Sequence, residues 1–227
     1  MVTAGKIFRL KSPLPLTDIE TKLRGFSKRE AYVEGEFKVD LLTEITDLIK
    51  GEGEITGIYS SDFVDHVFHR GKVVPVPGTV EATFSLSEFI DRTYLVILEK
   101  KEKANRIAND LSQLLYGSAG SILEVGIPPE SLYSFHLENP QGTKITFFDH
   151  IDVPNVNKMS LYGPDIIGTS LFDEYRKHGD LWYVVIQSKK EGYVVGVTRR
   201  GCVVVFSKVT AAEYLSYVRR EIFPLIL

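Results

Sequence analysis

The sequence has a single cysteine, Cys202, among its 227 residues, and this excludes an intramolecular disulfide or a metal centre built from several thiolates. It has no apolar run near the roughly 18 residues that a membrane-spanning helix needs, and no apolar, leader-like stretch after Met1. These absences predict a cytoplasmic protein with no membrane partner. Methionine and glutamine are also scarce, at two and three residues, and a scarcity of thermolabile side chains favours a thermophilic source.

The signatures of common nucleotide-binding and hydrolytic enzymes are missing as well. The sequence has no Gly-x-x-x-x-Gly-Lys-Ser/Thr loop, no Gly-x-Gly-x-x-Gly after a strand and no Gly-x-Ser-x-Gly elbow. The formal net charge is −3, and the parts before and after Gly117 are both slightly acidic. Proteins that hold nucleic acid through many phosphates usually carry a positive excess. The missing signatures favour binding over catalysis and identify no cofactor.

The apolar residues follow a mixture of strand and helix spacings. Alternation over residues 31–39 predicts a half-buried strand, and the apolar run 93–98 predicts a central one. Apolar residues at helical spacing predict helices over 40–49 and 101–116, the second ending at Gly117. The predicted fold class is therefore α+β, with a mainly antiparallel sheet backed by amphipathic helices.

Turn and capping signals divide the rest of the chain. Capping boxes at Thr17 and Thr210 predict two more helix starts. Gly71, Pro75, Pro77 and Gly78 predict turns, and residues 153–170 are predicted to be irregular. Near the C-terminal end, apolar runs separated by charged turns predict a three-stranded meander, with its strands at 182–187, 193–198 and 202–206.

The order of elements suggests two related halves. Residues 1–117 and 121–227 each pass through apolar strands into a last amphipathic helix, and Ser118–Gly120 is the best linker between them. This order resembles the tandem, saddle-like arrangement of the TATA-binding-protein-like fold, although no binding motif of that family is present. Separately, the Asn139–Asp165 stretch, with Phe147-Phe148-Asp149-His150 and Leu161-Tyr162-Gly163-Pro164-Asp165, is similar in style to archaeal proteins of unassigned function, which implies no activity.

One cluster carries enough acid and imidazole for metal binding or acid–base chemistry. Asp149, His150 and Asp152 follow a predicted strand and precede the irregular stretch. Because neighbours on an extended chain point to opposite faces, a metal site here would need a further ligand such as Asp165 or His178. The alternative is a strand end whose polar side chains satisfy turn hydrogen bonds.

A second polar cluster, from Asp65 to Arg70, contains His66 and His69. On a helix these two imidazoles would share a face and could bind metal, whereas on a strand they would point apart. The cluster lacks the spacing of zinc proteases. A polar hairpin leading into a turn is the simpler interpretation.

The predicted meander carries the third constellation. Its turns hold two pairs of basic residues, and aromatic side chains lie on the strands between them. Aromatic rings on a sheet with basic rims can stack bases and bind phosphates. Charged hairpin ends that keep sheet edges soluble are the alternative. The binding residues predicted here are Lys189, Lys190, Arg199, Arg200, Tyr183 and Tyr193.

Two functions follow from these patterns. The first is a non-catalytic macromolecule-binding module whose partner is nucleic acid or protein, with self-association as a third form of binding. The second is a metal-dependent phosphoester hydrolase in which Asp149, His150 and Asp152 supply ligands or a general base, with residues 153–170 as a lid.

Overall fold

A computed structural model describes residues 2–139, 142–166 and 168–226, and it confirms an α+β protein built around antiparallel strands. The helices are α1 (Leu16–Leu23), α2 (Lys101–Tyr116), α3 (Pro129–Glu138), α4 (Ser170–His178) and α5 (Ala211–Tyr217), the last continuing as a π turn, Val218–Ile222, and a 3-10 turn, Phe223–Ile226. The strands are β1 (Thr3–Leu10), β2 (Ser27–Glu34), β3 (Phe37–Gly51), β4 (Glu54–His69), β5 (Lys72–Phe89), β6 (Arg92–Ile97), β7 (Ile122–Glu124), β8 (Ile145–Asp149), β9 (Met159–Tyr162), β10 (Asp180–Gln187), β11 (Val194–Thr198) and β12 (Cys202–Val205).

All of these strands belong to one sheet, in the order β2-β3-β4-β5-β6-β1-β12-β11-β10-β8-β9. Strand β1 lies in the middle, paired along one edge with β6 and along the other with β12 and then β7. The predicted halves 1–117 and 121–227 therefore share a sheet through β1. That they are related to each other, and that they resemble the TATA-binding-protein-like fold, stay predictions.

The sheet buries a core on each face. Leu95 and Ile97 of β6 face the core covered by α1 and α2, whereas Tyr94 and Val96 face the core covered by α3, α4 and α5. Alternation along an extended strand sends neighbours to opposite faces, so the continuous apolar run of β6 is explained by burial on both sides. The sequence prediction of a central strand here is confirmed.

The predicted helix at 40–49 is wrong, because these residues belong to β3. A bulge explains the misleading spacing: β3 advances from Thr46 to Ile49 while β4 advances only from Ile58 to Thr56. An extra residue in one strand shifts the phase of its side chains. Ile45 and Leu48 therefore both contact the core beside α1 and α2, at the three-residue spacing of a helix.

Four other local predictions were wrong. The single strand predicted over 31–39 is interrupted by a turn, because β2 ends at Glu34 and β3 begins at Phe37. Helix α1 begins at Leu16 after Pro15, so Thr17 lies inside it and no side chain caps it. Pro75, Pro77 and Gly78 lie within β5 instead of in turns, whereas the turn at Gly71 is confirmed. Residues 153–170 contain β9. Helix α2 with its left-handed Gly117 cap, the Thr210 capping box and the meander are confirmed. In the described part of the chain, no helix is long and apolar enough to cross a membrane.

Candidate functional site

The sheet splits at one end into two hairpin ribbons. Pairing of β3 with β4 stops at Thr43–Ser61, but β2 stays paired with β3, and β4 with β5, well beyond that point. We call residues 27–42 the short ribbon and residues 62–79 the long ribbon, and the space between β3 and β4 the fork. Eight residue pairs, from Asp62–Thr79 to His69–Lys72, form the long ribbon, which makes it about 25 Å long.

The Asp62 side chain forms hydrogen bonds to both ribbons at the base of the fork. Its carboxylate accepts a hydrogen bond from the Leu42 backbone N–H at 3.0 Å and another from the Thr79 hydroxyl at 2.6 Å. The Thr79 and Leu42 hydrogen bonds lower the pKa of Asp62 because both stabilise its charged form. The carboxylate takes the place of the backbone carbonyl that would otherwise continue the β3–β4 ladder, and this explains why the strands part here.

The prolines of β5 fix which backbone groups face the fork. Pro75 lies opposite His66 and Pro77 opposite Val64, and since proline has no N–H these are non-hydrogen-bonded pairs. The N–H and C=O groups of Val64 and His66 therefore point away from β5 and into the fork, as do those of Phe68. The His66 N–H donates a hydrogen bond to the carboxylate of the preceding residue, Asp65, at 2.8 Å.

The long ribbon exposes apolar side chains on both of its faces. Phe68 is 73% exposed and its cross-strand partner Val73 is 64% exposed, while Val67, Val74 and Val76 are exposed on the opposite face. A two-stranded ribbon is only marginally stable in water by itself. Clustered exposed apolar groups mark surfaces that bind a partner, so this ribbon is the strongest candidate binding surface on the molecule.

A groove of about 660 Å³ opens at the base of the fork. Leu41 and Phe63 from the two ribbons and Leu114 from α2 contribute apolar walls to it. Tyr59 donates a hydrogen bond to Asp110 at 2.7 Å across its floor, and burial together with this contact raises the pKa of Tyr59. Beyond this groove, the side chains of Glu34 and His66 meet at 2.8 Å and link the two ribbons across the fork.

The structure assembles an acid–imidazole site that differs from the predicted one. His150 lies 3.0 Å from Asp180 and 3.8 Å from Asp149, because β8 pairs with β10 and sets Asp149 opposite Asp180. Asp152 instead contacts His178 at 2.8 Å. Arg199 contacts the Asp149 carboxylate at 2.9 Å and the Asp180 carboxylate at 3.7 Å.

The predicted basic residues of the meander lie at its two ends, where the sequence pattern placed them. Lys189 and Lys190 lie at one end of the strands and Arg199 and Arg200 at the other. Two of them are engaged in ion pairs, Lys190 with Glu221 and Arg199 with Asp149 and Asp180.

The two predicted stacking tyrosines also lie apart. Tyr193 packs against Tyr217 in the core covered by α5, whereas Tyr183 lies on the opposite face, over Gly196. There it joins Phe147, whose ring centroid is 5.4 Å away, and Trp182. Tyr162 extends this aromatic patch and is 66% exposed. Lys158, 5.3 Å above the Trp182 ring, is the cation that contacts the patch.

Comparison with known proteins assigns no family to the chain: no protein-family model matches it, and no curated protein matches it. The fork itself was missed by sequence reasoning, although two signals could have indicated it. One is the run of β-branched and aromatic residues on both sides of Arg70-Gly71, a two-residue turn with positive φ at both positions. The other is the pair of prolines two residues apart, which is compatible with a strand that has an open edge.

Proposed function

We propose that the protein is a non-catalytic binding module whose partner is another protein, held by the long ribbon. The observation that carries this proposal is the exposure of Val67, Phe68, Val73, Val74 and Val76 on both faces of one projecting hairpin. Burying a valine or phenylalanine side chain stabilises a complex by roughly 1.5–3 kcal/mol. A partner that covers both faces would therefore gain substantial binding free energy from this ribbon alone.

Charge favours a protein over a nucleic acid at this surface. The two ribbons together carry five Lys and Arg side chains and six Asp and Glu side chains. A nucleic acid would be held mainly through phosphates and would need a positive excess, whereas apolar contacts with a protein need none. The aromatic patch around Tyr183 offers bases a stacking surface, but Asp149 and Asp180 lie at the end of the same strands and would repel a phosphate backbone.

Polar substitution on one face of the long ribbon tests the proposal. We expect Phe68→Ser/Val73→Ser to weaken partner binding at least tenfold, because two exposed apolar side chains lose their contact area. Proteins that bind to the parent chain but not to this variant would be purified, and the affinity of each for both chains would be measured by calorimetry.

Ile90→Ser/Leu171→Ser is the matched control, because it removes two exposed aliphatic side chains outside the ribbon. Equal retention by parent and ribbon variant would contradict the proposal. So would salt-sensitive binding of labelled single-stranded RNA or DNA that the ribbon variant leaves unchanged, since the partner would then be a nucleic acid bound elsewhere.

A metal-dependent phosphoester hydrolase is the second candidate function, because Asp149, His150 and Asp180 offer ligand atoms within 4.8 Å of one another. One Asp149 oxygen is buried and has no hydrogen-bond partner, so it is available to a cation. Two carboxylates and an imidazole suit Mn²⁺ or Zn²⁺. Asp180 takes the place that the sequence interpretation gave to Asp152, and the Arg199 guanidinium competes with any metal for Asp149.

Metal content after incubation with Mn²⁺ or Zn²⁺, and hydrolysis of an aryl phosphodiester, test this second candidate. Asp149→Asn should lose both the bound metal and the activity, whereas Asp152→Asn should keep them because Asp152 belongs to the His178 pair. Identical metal content and hydrolysis in both variants would rule the candidate out.

A further inference from the structure

We infer that the fork accepts an extended polypeptide segment of the partner, which pairs as an added strand with the open edge of β4. This inference rests on the proposed function and specifies how the partner binds. It begins from the backbone of Val64, His66 and Phe68, whose N–H and C=O groups face the fork. In the described chain, no backbone hydrogen bond joins the two ribbons beyond Thr43–Ser61.

The other edge of the long ribbon is closed to strand addition. Pro75 and Pro77 of β5 have no N–H groups on the outward side, so an added strand there would lose two ladder hydrogen bonds. The edge of β4 keeps its donors at the corresponding positions. Because the prolines lie only on the β5 edge, a strand can add to this ribbon on its β4 edge, which faces the fork.

The hydrogen-bonding groups define the chemistry of the occupant. Donors and acceptors that repeat along an extended strand match another extended peptide and no other common ligand. On the opposite side of the fork, the Leu42 N–H points toward β4, because Asp62 accepts its hydrogen bond. By alternation, Lys38 and Asp40 direct their backbone groups the same way. The occupant therefore meets, on both sides, backbone edges that no other strand pairs with, and it displaces the Glu34–His66 side-chain contact that spans the fork.

The groove defines the side chains of the occupant. An added strand sends every second side chain toward the side of the sheet on which Leu41 and Phe63 line the 660 Å³ groove. Apolar side chains would fill it, as specificity pockets do in other cases of strand addition. We therefore expect a segment with an apolar residue at every second position and little net charge.

Two carboxylates beside the fork accept hydrogen bonds from backbone N–H groups while no partner strand is bound. Asp65 satisfies the His66 N–H, and Asp62 satisfies the Leu42 N–H. Open strand edges aggregate unless charged side chains protect them, and these two aspartates protect this edge while it has no partner. A carbonyl of the incoming segment replaces the Asp65 carboxylate when it binds.

A random twelve-residue peptide library displayed on phage, selected on the immobilised full-length chain, supplies the probe. One selected peptide is then labelled, and its affinity is measured by fluorescence anisotropy for the parent and two variants. Val64→Pro removes a fork-facing N–H. Glu81→Pro is the matched control, because Glu81 lies on β5 outside the long ribbon, opposite Ser60, where alternation directs its N–H away from β4.

We expect Val64→Pro to weaken peptide binding at least tenfold and Glu81→Pro to change it less than twofold. Hydrogen exchange on the parent chain gives the same answer if Val64→Pro fails to fold. The peptide should then slow exchange of the Val64 and Phe68 amides and leave that of Val73 unchanged. Selected peptides should carry apolar residues at alternate positions.

Unchanged affinity in Val64→Pro, without slower exchange at Val64 and Phe68, would overturn strand addition. Selection of no peptide above background would overturn it as well. Neither result bears on the proposed function, which is tested separately by the Phe68→Ser/Val73→Ser variant and by the nucleic-acid titration. Loss of peptide binding in both proline variants would indicate damage to the whole ribbon, and the hydrogen-exchange pattern would then decide.

Discussion

Glu124→Gln is expected to destabilise the protein by about 3 kcal/mol, because it leaves the Lys6 ammonium group buried without a counter-charge. The Lys6 side chain is 0% exposed and forms an ion pair with Glu124. Its ammonium group also donates a hydrogen bond to Asn105 at 2.7 Å. These contacts tie β1 to β7 and α2. Despite partial burial of the carboxyl group, the ion pair and hydrogen bond with Lys6 lower the pKa of Glu124.

The opposite substitution should cost much less. Lys6→Met removes the buried charge and keeps most of the side-chain volume, while Glu124, at 38% exposure, can be hydrated. We expect Lys6→Met, and the double variant with Glu124→Gln, to lie within about 1.5 kcal/mol of the parent. Urea unfolding of all four proteins at neutral pH measures this asymmetry. Equal destabilisation by the two single substitutions would show that the charge of Lys6 is not the reason for the effect.

The second large effect is a loss of stability in mild acid caused by His136. This side chain is 0% exposed, and burial lowers its pKa from 6.5 to about 4. In the unfolded chain the imidazole takes up a proton below about pH 6.5, whereas in the folded chain it stays neutral until about pH 4. The unfolded state thus binds more protons in this window, so the free energy of unfolding falls as pH falls, by up to about 3 kcal/mol.

Unfolding free energies measured between pH 7 and pH 4.5 test this expectation, since most carboxyl groups titrate below that range. His136→Phe keeps an aromatic ring against Phe172 and should flatten the pH dependence, although it leaves the Thr143 hydroxyl without its 2.9 Å partner. His69→Gln, which removes an exposed imidazole, is the control variant. A slope that persists in His136→Phe would assign the acid sensitivity to other groups.

Two kinds of local pattern predicted their elements correctly. Helix α2 was indicated by the single stripe that it buries from Ala104 to Leu115, and the meander strands were indicated by apolar runs bounded by charged turns. Strand β3 was missed because its bulge gives Ile45 and Leu48 a helical spacing. Pro75 and Pro77 were assigned to turns because the open outer edge of β5, which tolerates them, is a property of the assembled sheet.

The candidate sites depended on partners distant in the chain. Asp180 joins Asp149 and His150 only because of the register between β8 and β10, and no local pattern contains that register. Lys6 gave no signal either, since a lysine on a short strand usually reaches solvent, and its burial depends on Asn105 and Glu124. The fork required knowing where β3 and β4 stop pairing, which is decided by the side chain of Asp62.

The position of β1 has a consequence for how the chain folds during synthesis. Thr3 pairs with Val205 and Ile7 pairs with Val96, so β1 acquires its neighbours in two widely separated steps of synthesis. The β6 side can form once α2 has been made, whereas the edge that faces β12 stays unpaired until β12 has emerged as well. Such long-range pairing slows folding, and it leaves the middle of the sheet exposed to wrong partners between these two steps.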